Sequence, residues 1–129
     1  MPQARAIIPD QGGISAGLNT TGTTIPNHRI VRRGPTTDSI LPAVDGLDGY
    51  VGVTLAVILA GQAGDVQIER RAIVEAGGAI PIGSKIMGGT GGKAAVAVAT
   101  RYSLGIANTE ALVDGDLIEV DIDRSSVPA

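Results

Sequence analysis

The only histidine of the chain, His28, would have to serve in any histidine-based proton transfer or metal site. It stands beside Arg29 at the start of a basic stretch, with no serine- or aspartate-bearing motif close to it in sequence. A histidine in this setting is typical of a surface or an interface. We therefore predict no catalytic residue and expect that the protein is not an enzyme.

A glycine-rich run from Gly88 to Lys93 resembles a Walker A phosphate loop, G-x-x-x-x-G-K-[ST]. Met87 stands where that pattern needs its first glycine, and Ala94 stands where it needs the hydroxyl that holds Mg²⁺. The following run of alanine and valine favours a strand over the helix N-terminus that binds phosphate. We predict a hairpin connection here and no nucleotide or other cofactor.

Carboxylates are concentrated near the end of the chain. Six of the thirteen lie from position 110 onward, and Glu119, Asp121 and Asp123 alternate so that they share one face of a strand. Oxygen-rich clusters can bind Ca²⁺, but the EF-hand spacing is absent, so we interpret this stripe as a solvated face and predict no metal site. Paired acids for glycoside hydrolysis stay an alternative, although the chain offers only two tyrosines for stacking on sugars.

Nineteen glycines and seven prolines interrupt the chain at short intervals, which favours short strands joined by turns over long helices. Alternation is clearest where Ile118, Val120 and Ile122 face one side and the carboxylates face the other. We therefore predict an all-β fold, a compact β-barrel or β-tulip-like domain of short antiparallel strands. The candidate strands cover 28–33, 39–44, 50–59, 65–69, 72–75, 79–82, 85–87, 93–99, 102–106 and 117–123.

Three segments follow from this pattern: an extended N-terminal arm over 1–26, the β domain over 27–123 and a short polar tail over 124–129. The arm is rich in proline, glycine and threonine, yet it is more apolar than a solvated tail needs to be. The basic residues at the start of the domain suit docking onto an acidic surface. The predicted interface residues are Ile7, Ile8, Ile14, Leu18, Ile25, Arg29, Arg32 and Arg33.

The sequence contains one candidate internal repeat. Gly52 begins a strand that is followed by Gly64-Asp65 and a second strand, and Gly105 begins a strand that is followed by Gly115-Asp116 and another. Two half-domains built on similar hairpins would explain this. The alternative is that Gly-Asp before a strand is ordinary turn chemistry.

Composition limits the classes of function. The chain has no Phe, Trp or Cys, so its 43% hydrophobic content comes mainly from small aliphatic residues. Such side chains bury less area than aromatic ones, which makes burial in an oligomer a natural source of stability. A net charge of −3 does not favour nucleic-acid binding. The longest apolar stretch, about eleven residues from Val51, is shorter than a membrane span, and we expect no signal peptide, because Met1 to Gln11 has no apolar core.

The order of short glycine- and valine-containing segments resembles the capsid decoration, or cement, proteins of tailed bacteriophages. The segments are Asn19-Thr20-Thr21-Gly22, His28-Arg29-Ile30-Val31, Gly49-Tyr50-Val51-Gly52-Val53-Thr54, Gly61-Gln62-Ala63-Gly64-Asp65-Val66, Ala72-Ile73-Val74, Gly77-Gly78-Ala79-Ile80, Gly92-Lys93-Ala94, Leu104-Gly105-Ile106-Ala107 and Gly115-Asp116-Leu117-Ile118-Glu119-Val120.

The resemblance implies a structural virion protein, made in the bacterial cytoplasm, that binds the outer surface of the capsid lattice as a homotrimer and stabilises the expanded head. The implied partners are the major capsid protein and two further copies of the chain, without nucleic acid or membrane. It implies no cofactor and no catalytic residue. Two other readings stay open: a surface-displayed module that binds glycans or a host, and a small trimeric β-fold hydrolase.

Overall fold

A computed structural model describes residues 13–47 and 49–126, and of residues 124–126 it describes the backbone alone. The first half of this range forms β1 (Ile14–Asn19), β2 (Ile30–Arg33), β3 (Ser39–Pro42), β4 (Tyr50–Thr54) and β5 (Ala63–Gln67). The strand order is β1-β3-β2-β4-β5, and pairing of β5 with β1 closes a barrel. Every pair in it is antiparallel except β1 with β3. The predicted all-β class with a barrel is confirmed.

The second half forms β6 (Arg70–Glu75), β7 (Lys85–Gly88), β8 (Ala94–Val96), β9 (Tyr102–Ala107) and β10 (Leu117–Ser126). These strands make a five-stranded antiparallel sheet in the order β6-β10-β9-β7-β8. A single 3₁₀ turn, Thr90–Gly92, lies between β7 and β8. In the part of the chain that the structure describes, no helix is long and apolar enough to cross a membrane.

Both ends of the predicted β domain need correction. The arm predicted to reach residue 26 is wrong from Ile14 onward, because β1 is a central part of the barrel wall, paired with β5 on one side and β3 on the other. The tail predicted from residue 124 is wrong at its start, because β10 passes a bulge and pairs with β9 as far as Ser126. Residues 1–12 lie outside the described range.

The two halves are copies of one five-stranded unit. In the first, Val31 pairs with Gly52 and Ile25 forms a bridge with Ile58; in the second, the matching pairs are Ile86 with Gly105 and Ile80 with Ala111. The parallel pairing of β1 with β3 has its counterpart in a parallel bridge between Ala76 and Ala94. Strand order, direction and register therefore agree at these positions, and the sheet of the second half is an opened version of the barrel.

Backbone conformation repeats with the strands. Residues with φ between 60° and 96°, a region that favours glycine, occur at matching turns of the two units. The matched pairs are Gly13 and Arg70, His28 and Gly83, Asp38 and Gly92, Gly46 and Thr100, and Gly61 and Gly115. Five tight turns thus recur in both units with different residues in them, whereas Gly22 and Gly91 have no match.

The internal repeat in the sequence corresponds to the two structural units, but part of its predicted alignment is wrong. The backbone N–H of Gly61 donates to the carbonyl of Asn19, and the N–H of Gly115 donates to that of Ala76. Gly115 therefore corresponds to Gly61. The Gly-Asp pattern in the sequence matches it instead to Gly64, three residues further along the chain. Gly-Asp is common turn chemistry, so it recurs at unrelated places, whereas the hydrogen-bond register identifies equivalent residues.

Each unit has an aliphatic core, and the two cores correspond. The barrel is filled by Ile25, Val31, Ile40, Ile58 and Val66. The equivalent residues Ile80, Ile86, Ala94, Ala111 and Val120 are buried in the second unit. The second core is completed by side chains from the outside of the barrel, Ile30, Ala43, Tyr50 and Val53. This shared core, which we call the joint, makes one body of the two units.

Candidate interaction surface

His28 contributes to the joint through its backbone. Its N–H donates to the Thr54 carbonyl at 3.0 Å, and its own carbonyl accepts from the N–H of Glu75 in the second unit at 2.9 Å. The residue has a φ of 60° and is half-buried. Its expected role at an interface thus takes the form of a contact within the chain, between the two units.

The glycine-rich run forms a connection between strands. Its 3₁₀ turn leads directly into β8, which pairs antiparallel with β7, so the predicted hairpin is present. The Lys93 Nζ lies 2.9 Å from Asp114 Oδ1 and 3.3 Å from Glu75 Oε2. Hydrogen bonds to Asp114 and then to Glu75 raise the pKa of Lys93. The ammonium group is therefore held by carboxylates, and the segment after it continues into strand β8, where a phosphate loop has a helix N-terminus.

The expectation that the chain contains no G-x-S-x-G nucleophile elbow is wrong at the level of the letters. Residues Gly13–Gly17 match the letters of the G-x-S-x-G nucleophile elbow, with Ser15 at the central position. In hydrolases that serine occupies a sharp turn between a strand and a helix. Here Ser15 lies inside β1, paired with Val66 of β5, and is half-buried. The surrounding structure is that of a barrel wall, so the match is one of letters alone.

The acidic stripe faces outward as predicted and is partly neutralised by a residue of β6. Arg71 Nε lies 3.1 Å from Asp121 Oδ1, and its Nη1 lies 3.5 Å from Glu119 Oε1. The neighbouring Asn108 side chain, followed by the hydrogen bond from Arg71, lowers the pKa of Asp121. Within residues 13–47 and 49–126, no group of three His, Asp or Glu side chains is placed to hold a metal ion.

Asp116 organises the loop before β10. Its Oδ2 accepts hydrogen bonds from the backbone N–H of Leu112 at 2.8 Å and of Val113 at 3.1 Å. These bonds, the Leu112 bond first, lower the pKa of Asp116. The carboxylate thereby fixes two neighbouring apolar residues in positions that face solvent, Leu112 at 70% exposure and Val113 at 60%.

The predicted interface residues separate into three groups. Ile25 is fully buried inside the barrel and is a core residue, so assigning it to an external interface is wrong. Arg29 is engaged within the chain, with its Nη2 3.3 Å from Glu75 Oε1 and its Nη1 donating to the Gly91 carbonyl at 3.2 Å. Ile14, Leu18 and Arg32 are half-buried and Arg33 is exposed, while Ile7 and Ile8 lie outside the described residues.

Two exposed apolar loops were missed from the sequence. β4 ends at Thr54, and the residues after it turn outward, leaving Val57 and Leu59 each 54% exposed. The equivalent loop of the second unit exposes Leu112 and Val113. The sequence predicts one strand over 50–59, whereas β4 ends at Thr54 and the chain changes direction there. We call the exposed side chains Leu55, Val57 and Leu59 of the first unit and Leu112 and Val113 of the second the paired apolar loops; Leu59 and Leu112 occupy equivalent positions, each directly after the bridged residue Ile58 or Ala111.

A groove of about 730 Å³ follows the joint on the surface. Its charged lining includes Arg29, Lys93 and Arg101. The first two are bound by carboxylates, and Arg101 Nε donates to the Asp45 carbonyl at 3.0 Å. Arg29 and Arg101 link the two units, whereas Lys93 is paired within the second unit. The groove is therefore the outer edge of the joint, and the exposed apolar loops are the better candidates for binding a partner.

These features describe a β unit that occurs twice in the chain. Its described polar side chains serve mainly in ion pairs and in turns. The fold is similar to the crystal structure of head fiber gp8.5 N base in bacteriophage phi29, with a TM-score of 0.68 and 20% sequence identity. The similarity covers 90% of this chain and 98% of that chain. At this level of identity the likeness shows a shared fold. No family model matches the chain, and no curated protein matches it.

Proposed function

We propose that this protein is a non-enzymatic structural component of a tailed-phage virion, which binds the outer surface of the capsid lattice as a homotrimer and stabilises the expanded head. The observation that carries this proposal is the extent of the fold similarity, which reaches 98% of the head fiber base chain and 90% of this one. A match of that extent concerns the whole β domain. The resemblance of the sequence to capsid decoration proteins points to the same class.

The surface supports a binding role. Leu59 and Leu112 are large apolar side chains that water surrounds on more than half of their area. Contiguous exposed apolar patches mark contact sites on protein surfaces. Both units display such residues at the same loop, although their core residues have diverged, for example from Ile40 to Ala94. We infer that the paired apolar loops contact the major capsid protein.

A trimer suits this surface. Each loop offers only a small contact, and linking several weak contacts raises the overall affinity well above that of any one. Ile7 and Ile8 stay a prediction for the capsid interface, and a variant lacking residues 1–12 tests them without removing β1.

The test is co-sedimentation with empty expanded heads of the source phage. We expect saturable binding, together with a rise in the temperature at which the heads disrupt. Leu59→Asp combined with Leu112→Asp should lower the affinity for heads at least tenfold. Leu47→Asp is the matched control, because Leu47 is 52% exposed but precedes β4, at the opposite end of that strand from Leu59.

Wild-type chain that stays in the supernatant with intact heads overturns the proposal. Specific retention on host-cell glycans, with no binding to heads, supports the glycan- or host-binding alternative in its place. If the Leu47→Asp control loses as much affinity as the loop variant, capsid binding stands but the loops are not its site.

A further inference from the structure

We propose that the free edge of β8 binds an extended acidic segment of the major capsid protein, which adds to the sheet of the second unit as a further strand beside Val96. This inference rests on the function proposed above and gives the chain a second capsid contact besides the paired apolar loops. The observations that carry it are the direction of the Val96 backbone groups, the exposure of β8 and the charge of the surrounding chain.

β8 is the last strand of its sheet, and among the described strands only β7 pairs with it along its length. β6 touches it at the single parallel bridge between Ala76 and Ala94. The N–H of Ala97 donates to the Lys85 carbonyl of β7 at 2.8 Å. Since successive residues of a paired strand direct their backbone groups to opposite sides, the N–H and C=O of Val96 point away from β7. They offer an added strand one donor and one acceptor.

The first unit blocks the equivalent edge. Val31 pairs with Pro42, and its counterpart Ile86 pairs with Val96, so Val96 stands where the first unit has a proline. Proline has no N–H to donate, and the Pro42 carbonyl accepts a hydrogen bond from Arg32 Nε at 3.2 Å. Proline is a common means of keeping an edge strand from pairing with another chain. The second unit lacks this protection, so its edge strand can accept a partner.

The side chains at this edge are apolar and uncovered. Val96 is 41% exposed, although its partner on β7, Ile86, is fully buried in the core, and Val98 just beyond β8 is 51% exposed. The groove along the joint lies on this side of β8, because its lining includes Ala94 and also Gly77, whose N–H donates to the Ala94 carbonyl. The cations inside the groove are engaged, but its rim along β8 is open. An added strand would cover the exposed end of the core.

The chain around this edge is positively charged within an acidic protein. Residues 76–109 contain Lys85, Lys93 and Arg101 and no carboxylate, whereas the whole chain has a net charge of −3. Two carboxylates from outside this stretch bind Lys93. Within residues 13–47 and 49–126, Lys85 and Arg101 form no ion pair. Complementary charge therefore favours a partner segment that carries Asp or Glu.

The two faces of β8 and its neighbour define the pattern that such a segment needs. Main-chain hydrogen bonds to an edge strand give affinity, and alternate side chains of the added strand give specificity. The inner face carries Val96 beside the buried Ile86, and the outer face carries the exposed Lys85. Because side chains alternate between the faces of a sheet, the best partner strand alternates apolar and acidic residues.

The test is co-sedimentation of variants with empty expanded heads. Val96→Pro removes the outward N–H and no described hydrogen bond within the chain, and Pro42 shows that the fold accepts proline at the equivalent position. It should lower the affinity for heads about tenfold or more, because each of the linked contacts loses a main-chain hydrogen bond. Val96→Thr is the matched control, since it keeps the N–H and should bind nearly as well as the wild type.

Charge is tested separately. Lys85→Glu should weaken binding to heads, and this loss should shrink as the salt concentration rises. Arg70→Glu is the matched control and should bind as the wild type does, because Arg70 is exposed at the start of β6, the strand at the other edge of the sheet. Circular dichroism and light scattering should show all four variants folded and in the same oligomeric state as the wild type.

Equal binding of heads by the wild type and Val96→Pro overturns the inference and leaves the proposed function standing. A smaller oligomer in Val96→Pro also overturns it, because the edge then binds a second copy of the chain. Unchanged binding by Lys85→Glu contradicts an acidic partner. If the wild type does not bind heads, the proposed function fails, and an NMR titration with the peptide Asp-Val-Asp-Val-Asp decides the edge alone. A shift of the Val96 amide signal, absent with Lys-Val-Lys-Val-Lys, supports strand addition, and no shift overturns it.

Discussion

One hydroxyl group, that of Tyr50, forms hydrogen bonds across the joint. It accepts a hydrogen bond from the N–H of Gly88 at 2.8 Å and donates one to the Tyr102 carbonyl at 3.1 Å, so it bridges the first unit to two strands of the second. Tyr50 is 8% exposed, and a Cβ on Gly88 would lie 3.2 Å from its ring. Water has little room to replace the hydroxyl group.

Tyr50→Phe keeps the ring and removes the bridge. The buried Gly88 N–H then lacks its acceptor, which costs about 1–3 kcal/mol in the free energy of unfolding. For a chain of this length, a loss of about 2 kcal/mol lowers Tm by roughly 5–10 °C. Tyr102→Phe is the matched control: its ring is 46% exposed, and the backbone carbonyl that Tyr50 uses is retained. Surface changes of this kind usually stay within about 0.5 kcal/mol.

Differential scanning calorimetry on both variants measures the difference directly, and urea unfolding gives it independently. The chain has no tryptophan, so tyrosine emission can follow the urea transition, with one reporter left in each variant. If Tyr50→Phe unfolds at the same temperature as Tyr102→Phe, the joint does not depend on this bridge and the reasoning fails.

Three further predictions test the duplication and the loop before β10. Gly52→Ala and Gly105→Ala should each lower the free energy of unfolding by about 1–3 kcal/mol or more in urea, because a Cβ at either position overlaps a carbonyl oxygen of the neighbouring strand; a loss at one position only would contradict their equivalence. Thr100→Gly should raise Tm, because removing the strain of a β-branched residue in the left-handed region exceeds the entropy cost of glycine by roughly 0.5–1 kcal/mol. Gly46→Thr at the matching turn should lower Tm, and two Tm shifts of the same sign would count against this explanation. Because the pKa of Asp116 is lowered in the folded state, its carboxylate stabilises the fold above the unfolded pKa of about 3.9, and this contribution is lost as pH falls through the folded pKa. Asp116→Asn should therefore lose less stability than the wild type on acidification, measured by urea titrations at several pH values. An unchanged slope of the unfolding free energy against pH would refute the role of the loop hydrogen bonds.

Local patterns in the sequence were enough to predict the all-β class and the inward face of β10. Alternation at Ile118 and Val120 is visible without any knowledge of neighbouring strands, and both side chains are buried. β1 was missed because glycine and small residues obscure its alternation. Its place is fixed by pairing with β5, which comes more than forty residues later. Such pairing depends on contacts that no local window contains.

The candidate site was harder to predict for the same reason. Arg29 and Lys93 carry the charges expected of an interface or a phosphate loop, but Glu75 binds both of them. That carboxylate is distant in sequence from Arg29, so the neutralisation could not be seen beforehand. The outward turn after Thr54 was hidden by an uninterrupted apolar run, since a strand and an exposed apolar loop have similar composition.

Joining two units in one polypeptide has a consequence for divergence. Covalent linkage keeps the partners of the joint at a high effective concentration, so this contact survives any dilution. One unit is then free to specialise in the permanent contact, with aliphatic Ile30 and Val53 hidden from solvent. The other can acquire charge at the corresponding position, as Lys85 has done. The duplication thereby allows one face to be permanently buried while the equivalent face of the other unit stays in contact with solvent.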